Sequence, residues 1–600
     1  MAAPTIPGVH RFLCRLSALV AVIAMGLSGT ASAATATDLS FSGSGWGDGV
    51  GLSQYGARAM GDAGASVEEI LLHYFPETAV RQINTLSIGN EALAAHTPLW
   101  VGLLQNRPEI TFRIEGGSVE LCFDDTGDCA AVAVQDEKWK FGSDGRGQCT
   151  YSRQAGDGSY VPFAPSGSCS ASARPVSSTA DIWIPLKARS YRRGTLRFRQ
   201  SPNTGRLHLA IQLGFEDYVR GIRELPDHWP GASLEAQAVV SRTIAVNQFV
   251  ETGPASGFDT QRLDLCACHV LDVDKQQAYG GFTSEIGHPF WQGRVGGTAG
   301  QVLTWNNQVI PVRFTSSTGG RTESSRAAGD GYLPYLVSVD DTASLSSAAA
   351  NPFATWVATA SQTQLGSVFG FRWLSNASVA SRYESGSVAT VLLTGIIAGR
   401  QAQITASGSA VREALGLYSS YFDIEVTPRF EDVIPDHPFS GEVLGLSDLG
   451  ITAGCTQELF CPGGELSRGE MAAFLVRALG LELVEGANSF VDDDDSFFES
   501  EIETLYASGI TTGCSATTFC PSDMVTREQM AAFLVRAFEL ADTQVGQDTF
   551  VDDDDSFFEL EIETLYASGI TTGCSATTFC PSDMVTREQM AAFLIRALAA

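Results

Sequence analysis

One carboxylate of this chain, Glu224, has neighbours suited to acid–base chemistry. It precedes Leu225-Pro226 and stands five residues before Trp229. An indole beside a carboxyl group excludes water and raises the pKa of that group, which a general acid working near neutral pH requires. The residues alone leave a second interpretation open, a surface ion pair of Glu224 with Arg220 or Arg223, because surface glutamates greatly outnumber catalytic ones.

Two helices are predicted to position this carboxylate. Apolar side chains at i, i+3, i+4 and i+7 indicate a short amphipathic helix, which ends near Arg223 because a residue before proline disfavours helical angles. A second helix is predicted after Pro230-Gly231, with Ser233 as its cap. Glu224 is then expected at a helix exit, between two packed helices. The apolar residues of the two helices are Phe215, Tyr218, Val219, Ile222, Leu234, Ala238, Ala245 and Phe249.

A second unusual segment is rich in glycine. Five of the nine residues 43–51 are glycine, and a helix is predicted after them, ending near Pro76. Glycine lets the backbone take positive φ or approach another group closely. The segment lacks the Gly-Lys-Ser/Thr of a phosphate loop and the context of a dinucleotide site. A close backbone approach and a structural turn remain as interpretations.

Length, composition and the N-terminus bound the class of protein. The 600 residues are 44% hydrophobic, enough for roughly three or four globular domains. Arg11 and Arg15 precede an apolar run at 16–27, and Ala31-Ser-Ala33 completes the pattern of a signal peptide over 1–33. The chain is therefore predicted to be exported. Because the apolar run is shorter than the ~20 residues of a spanning helix, no transmembrane anchor is expected.

Cysteine usage agrees with export. Once Cys14 of the leader is removed, 12 of the 13 cysteines remain, an even number that favours disulfides in an oxidising compartment. Three pairs share one spacing and are predicted to close small loops: Cys455/Cys461, Cys514/Cys520 and Cys574/Cys580. The pairing of the other six stays open: Cys122, Cys129, Cys149, Cys169, Cys266 and Cys268. Cys266, Cys268 and His269 offer zinc-type ligands, but Cys-x-Cys is too tight for a tetrahedral site, so no metal or cofactor is predicted.

The C-terminal part is acidic and repetitive. From Phe430 onwards the chain carries 31 Asp and Glu against 6 Arg and no Lys, most of its net charge of −30, which argues against nucleic-acid binding. Phe490 and Phe550 follow at a period of 60 residues, and residues 490–537 and 550–597 are nearly identical. Each of the three copies predicts a helix, a cysteine-closed loop and a second helix with a capping box. The copies are expected to pack together.

These copies resemble S-layer homology repeats, through the ordered Phe-x-Asp, Gly-Ile-Thr and Thr-Arg-Glu-Gln segments. The resemblance implies an all-helical module with repeats at 426–486, 487–546 and 547–600, bound to an anionic secondary cell-wall polysaccharide. It assigns the binding of that polysaccharide to three arginines at helix starts, where a carboxylate-bearing sugar fits. These are Arg468, Arg527 and Arg587. Bracing of the bundle is the alternative for each arginine.

Acidic runs at 492–495 and 552–555 raise the question of calcium. They lack the glycine and the spacing of an EF-hand. The runs are therefore expected to be solvated loops.

Residues 41–425 resemble the stage II sporulation protein D (SpoIID)/LytB amidase-enhancer family. The matching segments are 218–221, 224–226, 235–243, 277–281, 298–303, 316–323 and 332–336. The glycine-rich motif opens the domain here instead of closing it, which is tolerable if the two ends of the domain lie close together. Asp48 replaces the histidine of Gly-His-Gly-Val-Gly, and either serves as a second acid/base group or weakens activity.

The resemblance implies a lytic transglycosylase acting on peptidoglycan glycan strands, with Glu224 as its single acid/base group and 1,6-anhydro-MurNAc ends as products. The residues assigned to the substrate groove are Asp48, Gln237, Arg242, Tyr279, Ser317, Gly319 and Gly320. Pairing of Arg242 with Glu235 is the structural alternative. A muramidase would need a second carboxylate, for which Asp48, Asp227 and Glu323 are candidates.

The predicted fold is multidomain. An α+β domain at 34–425 contains a β-rich subdomain at 86–205, in which Cys122/Cys129 and Cys149/Cys169 are the expected staples, and the all-helical module follows. The chain is expected at the cell wall or cell surface, with glycan strands, the wall polysaccharide and a wall amidase as partners. The rival functions are a non-catalytic amidase enhancer that uses the same groove and a structural surface-layer component, which leaves 41–340 unexplained.

Overall fold

The computed structural model describes residues 38–88, 91–94, 96–143, 148–163, 167–273, 277–541 and 548–599. The predicted signal peptide lies outside the described residues. Within these ranges, no helix is both long and apolar enough to cross a membrane. The chain mixes helices and sheets.

Two seven-stranded sheets contain the predicted β-rich region. The first runs Tyr160–Pro162, Gln148–Gln154, Lys138–Ser143, Glu109–Gly116, Asp181–Ile184 and Arg189–Tyr191, with Gly167–Ser168 paired to Gln148–Gln154. The second runs Val270–Leu271, Leu99–Arg107, Leu207–Leu213, Thr195–Gln200, Ala171–Pro175, Ser118–Phe123 and Cys129–Val134. Alternate residues such as Ile110, Phe112 and Ile114 are buried in one core with residues of the other sheet. The sulfur atoms of Cys122/Cys129 and Cys149/Cys169 lie at bonding distance, as expected.

The N-terminal strand Asp38–Gly43 lies between Trp356–Ser361 and Phe422–Val426, antiparallel to both. The two ends of the region 38–426 therefore meet in one sheet, which is the condition for moving the glycine-rich motif to the front of the domain. The remaining strands form smaller sheets: Leu52–Ser53 with Phe314–Thr315; Gln308–Val309, Gln301–Trp305 and Ala79–Gln82; Trp373–Arg382, Val388–Ile397 and Arg400–Ser407; and Ser87–Ile88 with Glu91–Ala92.

Nine α-helices are described before the repeats: Gln54–Asp62, Val67–Tyr74, Phe215–Arg220, Gly231–Thr252, Thr260–Leu265, Phe282–Ile286, Pro289–Gly297, Gln362–Phe369 and Gly408–Leu415. The prediction of a single helix up to Pro76 is wrong. The first helix ends at Asp62, and a second helix begins after Ser66, which caps it. The helix after Pro230 is confirmed with its buried face. Its predicted cap is wrong, since Ser233 lies inside the helix and donates to the carbonyl of Pro230.

The C-terminal repeats contribute six helices: Ser440–Asp448, Arg468–Leu479, Glu499–Ala507, Arg527–Ala537, Glu559–Ala567 and Arg587–Ala597. The second helix of every repeat begins with the predicted capping box, at Ser467, Thr526 and Thr586. Isolated β-bridges join the repeats just before these caps.

The loop between the two helices of each repeat is closed in two ways. One is the predicted pairing, since the sulfur atoms lie at bonding distance in Cys455/Cys461, Cys514/Cys520 and Cys574/Cys580. The other is an aspartate, because the N–H of Cys461 donates to the carboxylate of Asp432 at 2.7 Å. The same bond joins Cys520 to Asp492 and Cys580 to Asp552, both at 2.8 Å.

The second cysteine of each pair has an unusual backbone conformation. Cys461 has φ +58°, Cys520 +62° and Cys580 +58°, in the left-handed region that residues other than glycine seldom adopt. Neither this conformation at Cys461 nor its bond to Asp432 was predicted.

The repeats close on themselves. The N–H of Val525 donates to the carbonyl of Leu466, that of Val585 to Val525, and that of Leu466 back to Val585, each at 2.9 Å. The three copies thus share one core, as expected from the apolar stripe of each. Trp373 and Ile396 of the preceding region pack into the same core.

Candidate active site

A short antiparallel pairing, called the ladder below, positions Glu224; it contains the isolated β-bridge between Ile222 and Tyr279. Beyond the helix Phe215–Arg220, the N–H of Arg223 donates to the carbonyl of Ala278 (3.1 Å) and the N–H of Gly280 to that of Gly221 (2.8 Å). The N–H of Ala278 also donates to Oε1 of Glu224 at 2.7 Å. The helix ends at Arg220, three residues before its expected end near Arg223, and the partly exposed carboxylate of Glu224 is held by the backbone N–H of Ala278.

Asp272 braces the second strand of this ladder. Its carboxylate accepts from the N–H of Tyr279 (3.0 Å) and from Arg189 (3.1 Å), and it pairs with Lys187 (2.6 Å). Arg189 also donates to the carbonyl of Tyr279 at 2.7 Å. The ion cluster holds the segment that carries Ala278, and thereby the partner of Glu224.

A cleft of about 200 Å³ lies next to this ladder. Its wall includes Asp48, Tyr218, Gln248, Gln277, Arg313 and Phe314. Burial, and secondarily the nearby charge of Glu224, raise the pKa of Tyr218 far above its usual value. Glu224 is not part of this wall; Gln277 of the wall directly precedes Ala278, the residue whose N–H holds Glu224. The indole ring of Trp229 packs against the ring of Tyr55, and the guanidinium of Arg58 lies over the indole.

Asp48 forms an ion pair with Arg313 on the cleft wall. It also accepts from the N–H of Val50 at 3.1 Å, and its side chain is about one third exposed. Asp48 therefore presents a carboxylate to the cleft, held in place by a guanidinium. Asp272 and Arg313 were not identified from the sequence, because neither lies in a recognisable motif and their partners Arg189 and Asp48 are 83 and 265 residues away.

The glycine-rich loop packs its backbone against the segment 313–323. The N–H of Trp46 donates to the carbonyl of Ser317 (3.0 Å), and the N–H of Glu323 to that of Gly49 (2.7 Å). Gly51 has φ +77°, and a Cβ there would lie 2.1 Å from the carbonyl oxygen of Arg313. Close approach of backbone to backbone explains the glycines.

Gly51→Ala is expected to lower the free energy of unfolding by about 2–5 kcal/mol, since strain at positive φ adds to the overlap with Arg313. Gly64→Ala is the matched control. Gly64 also has positive φ (+92°), but a Cβ there would meet nothing within 4 Å, so only the strain, about 1–2 kcal/mol, is expected. Urea unfolding of both variants measures the difference, and equal losses would contradict the close-approach explanation.

Several residues assigned to the groove lie inside the protein. Gln237 is fully buried and hydrogen-bonded to Gln54 and Ser241 (both 3.2 Å). Arg242 is also fully buried, in a two-pronged ion pair with Glu216 (2.8 Å). These contacts contradict direct substrate binding by Gln237 and Arg242, and they also exclude the alternative partner of Arg242, because Glu235 pairs with Arg294.

The other groove residues are dispersed. Tyr279 is 2% exposed and stacked on Tyr218, so its burial too contradicts direct contact with substrate. Ser317 and Gly320 are buried beside the glycine-rich loop. Gly319 lines a separate depression together with Gly43. Of the predicted groove residues, the cleft next to the ladder contains Asp48 in its wall.

Glu216→Ala is expected to cost about 3–5 kcal/mol of stability, because it leaves the guanidinium of Arg242 buried without its ion partner. The matched control is Glu235→Ala, whose partner Arg294 is 45% exposed and whose loss should cost less than about 1 kcal/mol. Urea unfolding is the measurement. A small effect at Glu216 would show that the pair is dispensable.

The candidate second carboxylates are all engaged by other groups. Asp227 accepts from the N–H groups of Phe290 (3.2 Å) and Trp291 (2.7 Å) at the start of a helix. Glu323 is 5% exposed and accepts from the hydroxyl of Ser385 (2.7 Å). Asp48 is likewise engaged, by its ion pair with Arg313.

The zinc-type cluster is occupied by protein contacts. The sulfur atoms of Cys266 and Cys268 are bonded to each other at 2.09 Å. Nδ1 of His269 accepts from the N–H of Trp100 (2.9 Å), and burial lowers the pKa of His269 to about 4. Both sulfur atoms and this ring nitrogen are committed within the protein.

The three arginines of the repeats are buried, 5–6% exposed. Nε of Arg468 donates to the carbonyl of Phe519, that of Arg527 to Phe579 and that of Arg587 to Phe460 (2.8–2.9 Å), always in the next repeat around the ring. Each guanidinium also lies over the ring of the phenylalanine it binds. These contacts are the bracing that was the alternative to polysaccharide binding.

Residues 203–305 match the family model of the stage II sporulation protein (SpoIID), and 429–472, 489–531 and 549–591 each match the S-layer homology domain. Stage II sporulation protein D of Bacillus subtilis (strain 168) is 29% identical over 215 residues, 35% of this chain and 59% of that protein. The amidase enhancer of the same strain is 29% identical over 146 residues, 24% of this chain and 16% of that protein. An endoglucanase of Bacillus sp. (strain KSM-635) is 41% identical over 96 residues, 16% of this chain and 10% of that protein. The chain covers less than two thirds of the length of each.

Proposed function

We propose that this chain, which combines a SpoIID domain with three S-layer homology repeats, is a wall-attached peptidoglycan lytic transglycosylase. The observation that carries the proposal is the position of Glu224, held by the N–H of Ala278, which directly follows Gln277 of the cleft wall. The likeness to stage II sporulation protein D supports it.

One carboxyl group suffices for the proposed reaction. Glu224, protonated, gives its proton to the oxygen that links MurNAc to the next sugar, and the bond from C1 to that oxygen breaks. The resulting carboxylate then removes the proton of the 6-hydroxyl of MurNAc, whose oxygen bonds to C1. No water is consumed. The commitment of Asp227 and Glu323 to other groups supports this route over hydrolysis with two carboxylates.

The repeats are proposed to hold the enzyme at an anionic wall polysaccharide. Nη2 of Arg468 and Nη2 of Arg527 have no hydrogen-bond partner in the part of the chain that the structure describes, but both atoms are buried and closed to an external sugar. Arg587 instead donates to Glu470 at 2.8 Å. All three arginines therefore act as braces between repeats, and binding of the polysaccharide is proposed for the module as a whole.

Digestion of purified glycan strands tests the proposal. Products that end in 1,6-anhydro-MurNAc, identified by mass spectrometry, are the expected result. Products with reducing ends would identify a muramidase. No cleavage at all would favour the second candidate, a non-catalytic amidase enhancer.

The second candidate is supported by Asp48. A titratable imidazole is replaced there by a carboxylate already paired with Arg313, which weakens the case for proton transfer on that wall. In this alternative the cleft binds glycan and stimulates a separate amidase. Addition of the chain to a wall amidase, with amidase rate as the readout, distinguishes the two if no glycan cleavage is found.

A further inference from the structure

Two of the three repeats carry an acidic pair with a buried aspartate where the first repeat buries an apolar pair. The third residue after the leading phenylalanine is Val433 in the first repeat, Asp493 in the second and Asp553 in the third. The fifth residue of the following helix is correspondingly Leu444, Glu503 and Glu563. The same place in one fold therefore contains hydrocarbon once and carboxylates twice.

Three of these four carboxylates are buried, and each of the three has at least one oxygen that accepts no hydrogen bond in the described residues. Asp493 is 1% exposed, Glu503 2% and Asp553 0%. Oδ2 of Asp493, Oε2 of Glu503 and both carboxylate oxygens of Asp553 accept no hydrogen bond in the part of the chain that the structure describes. The adjacent Asp552 differs, because it accepts from Phe579 and Cys580 of its own loop. Since a buried charge is costly unless it is paired or binds a metal, the orphan oxygens call for a cation.

Further acidic oxygens surround the orphan ones. One oxygen each of Asp548, Asp553 and Asp554 lie within 4.8 Å of one another, and Asp548 and Asp554 are exposed, so the group opens to solvent. Oε1 of Glu563 is fixed by the N–H groups of Thr549 (2.9 Å) and Phe550 (3.2 Å). Burial, reinforced by Glu563, raises the pKa of Asp553 to about 6, which expresses the repulsion between these groups.

The second repeat has the same arrangement with one amide. Asn488 stands at the place of Asp548 and donates to Asp494 at 3.0 Å, which leaves its carbonyl oxygen as a donor for a metal. Burial and the charge of Glu503 raise the pKa of Asp493 to about 6.

We propose that the second and third repeats each bind one Ca²⁺ ion. The ligands in the third repeat are Asp548, Asp553, Asp554 and Glu563, and in the second Asn488, Asp493, Asp494 and Glu503. Calcium accepts six to eight carboxylate and carbonyl oxygens in irregular geometry, whereas Mg²⁺ requires a near-ideal octahedron. The expectation that runs 492–495 and 552–555 are solvated loops is wrong at Asp493 and Asp553, which point inward. The proposal does not depend on the catalytic activity of the chain.

The first repeat supplies the design for the test. Asp493→Val with Glu503→Leu, and Asp553→Val with Glu563→Leu, install the apolar pair that the fold already accommodates at Val433 and Leu444. Calcium uptake by the full-length chain is measured by equilibrium dialysis. Asp555→Asn, an exposed acid of the same run, is the matched control.

The wild type and the control are expected to bind two equivalents of calcium in a saturable way, each paired variant one, and the fourfold variant none. Added calcium should raise the unfolding temperature of the wild type and leave that of the fourfold variant unchanged. Undiminished uptake by the fourfold variant overturns the proposal. So does a wild type that is stabilised by acidification below pH 6 and is indifferent to calcium, since the carboxyl groups would then be neutralised by protons.

Discussion

Replacing Glu224 by glutamine is expected to abolish cleavage of glycan strands while the chain stays folded. The amide cannot supply the proton that the departing sugar oxygen needs, so the rate should fall by about 10²–10⁴-fold. The amide oxygen can still accept from the N–H of Ala278, which keeps the ladder in place. The measurement is the rate at which soluble products appear from purified strands, with thermal unfolding as the check on folding.

Glu68→Gln is the matched control for this experiment, because Glu68 is an exposed glutamate on a helix of the same region. It should cleave at the wild-type rate. A Glu224→Gln protein that is folded and fully active would remove the acid/base assignment, and with it the proposed enzyme.

Deletion of the module from Phe430 onwards is expected to abolish sedimentation with purified cell walls while cleavage of soluble strands continues. Three linked repeats bind together, so the loss of apparent affinity should be at least about 100-fold. Deletion uncovers Trp373 and Ile396, which pack into the core of the module. The shortened chain should therefore carry Trp373→Ser and Ile396→Ser, to keep it soluble.

A full-length chain with the same two serine substitutions is the control for the deletion. It should sediment with walls as the wild type does. Retention of the shortened chain by walls would place the anchor in residues 38–429, and loss of binding by the full-length control would assign it to the contact around Trp373.

Features that depend on neighbours in sequence could be predicted here. The capping boxes at Ser467, Thr526 and Thr586 satisfy helix N–H groups within four residues, and all three are present. The helix after Pro230 has its buried face where the spacing of apolar residues places it. The period of 60 residues likewise predicted three packed repeats.

Features that depend on distant partners could not be predicted. Glu224 owes its position to Ala278, 54 residues later, and no pattern in either segment specifies that pairing. The bond from Cys461 to Asp432 spans 29 residues and was missed for the same reason, although the nearby disulfide partner Cys455 was found from its spacing.

A family motif also limits what can be predicted about the role of a residue. Arg242 was assigned to the groove because of its motif, yet its carboxylate partner Glu216 comes from another helix. Position within a motif identifies a residue that matters, but it does not distinguish a group that touches substrate from one that supports the scaffold.

The cycle of backbone hydrogen bonds through Leu466, Val525 and Val585 restricts the number of repeats that this module can contain. Open solenoids can gain or lose a unit at either end, because each unit meets only its neighbours. Here the last unit meets the first, so a fourth copy has no place to insert and a two-copy chain leaves a donor and an acceptor exposed. Duplication or loss of one repeat would therefore break the closed ring of three.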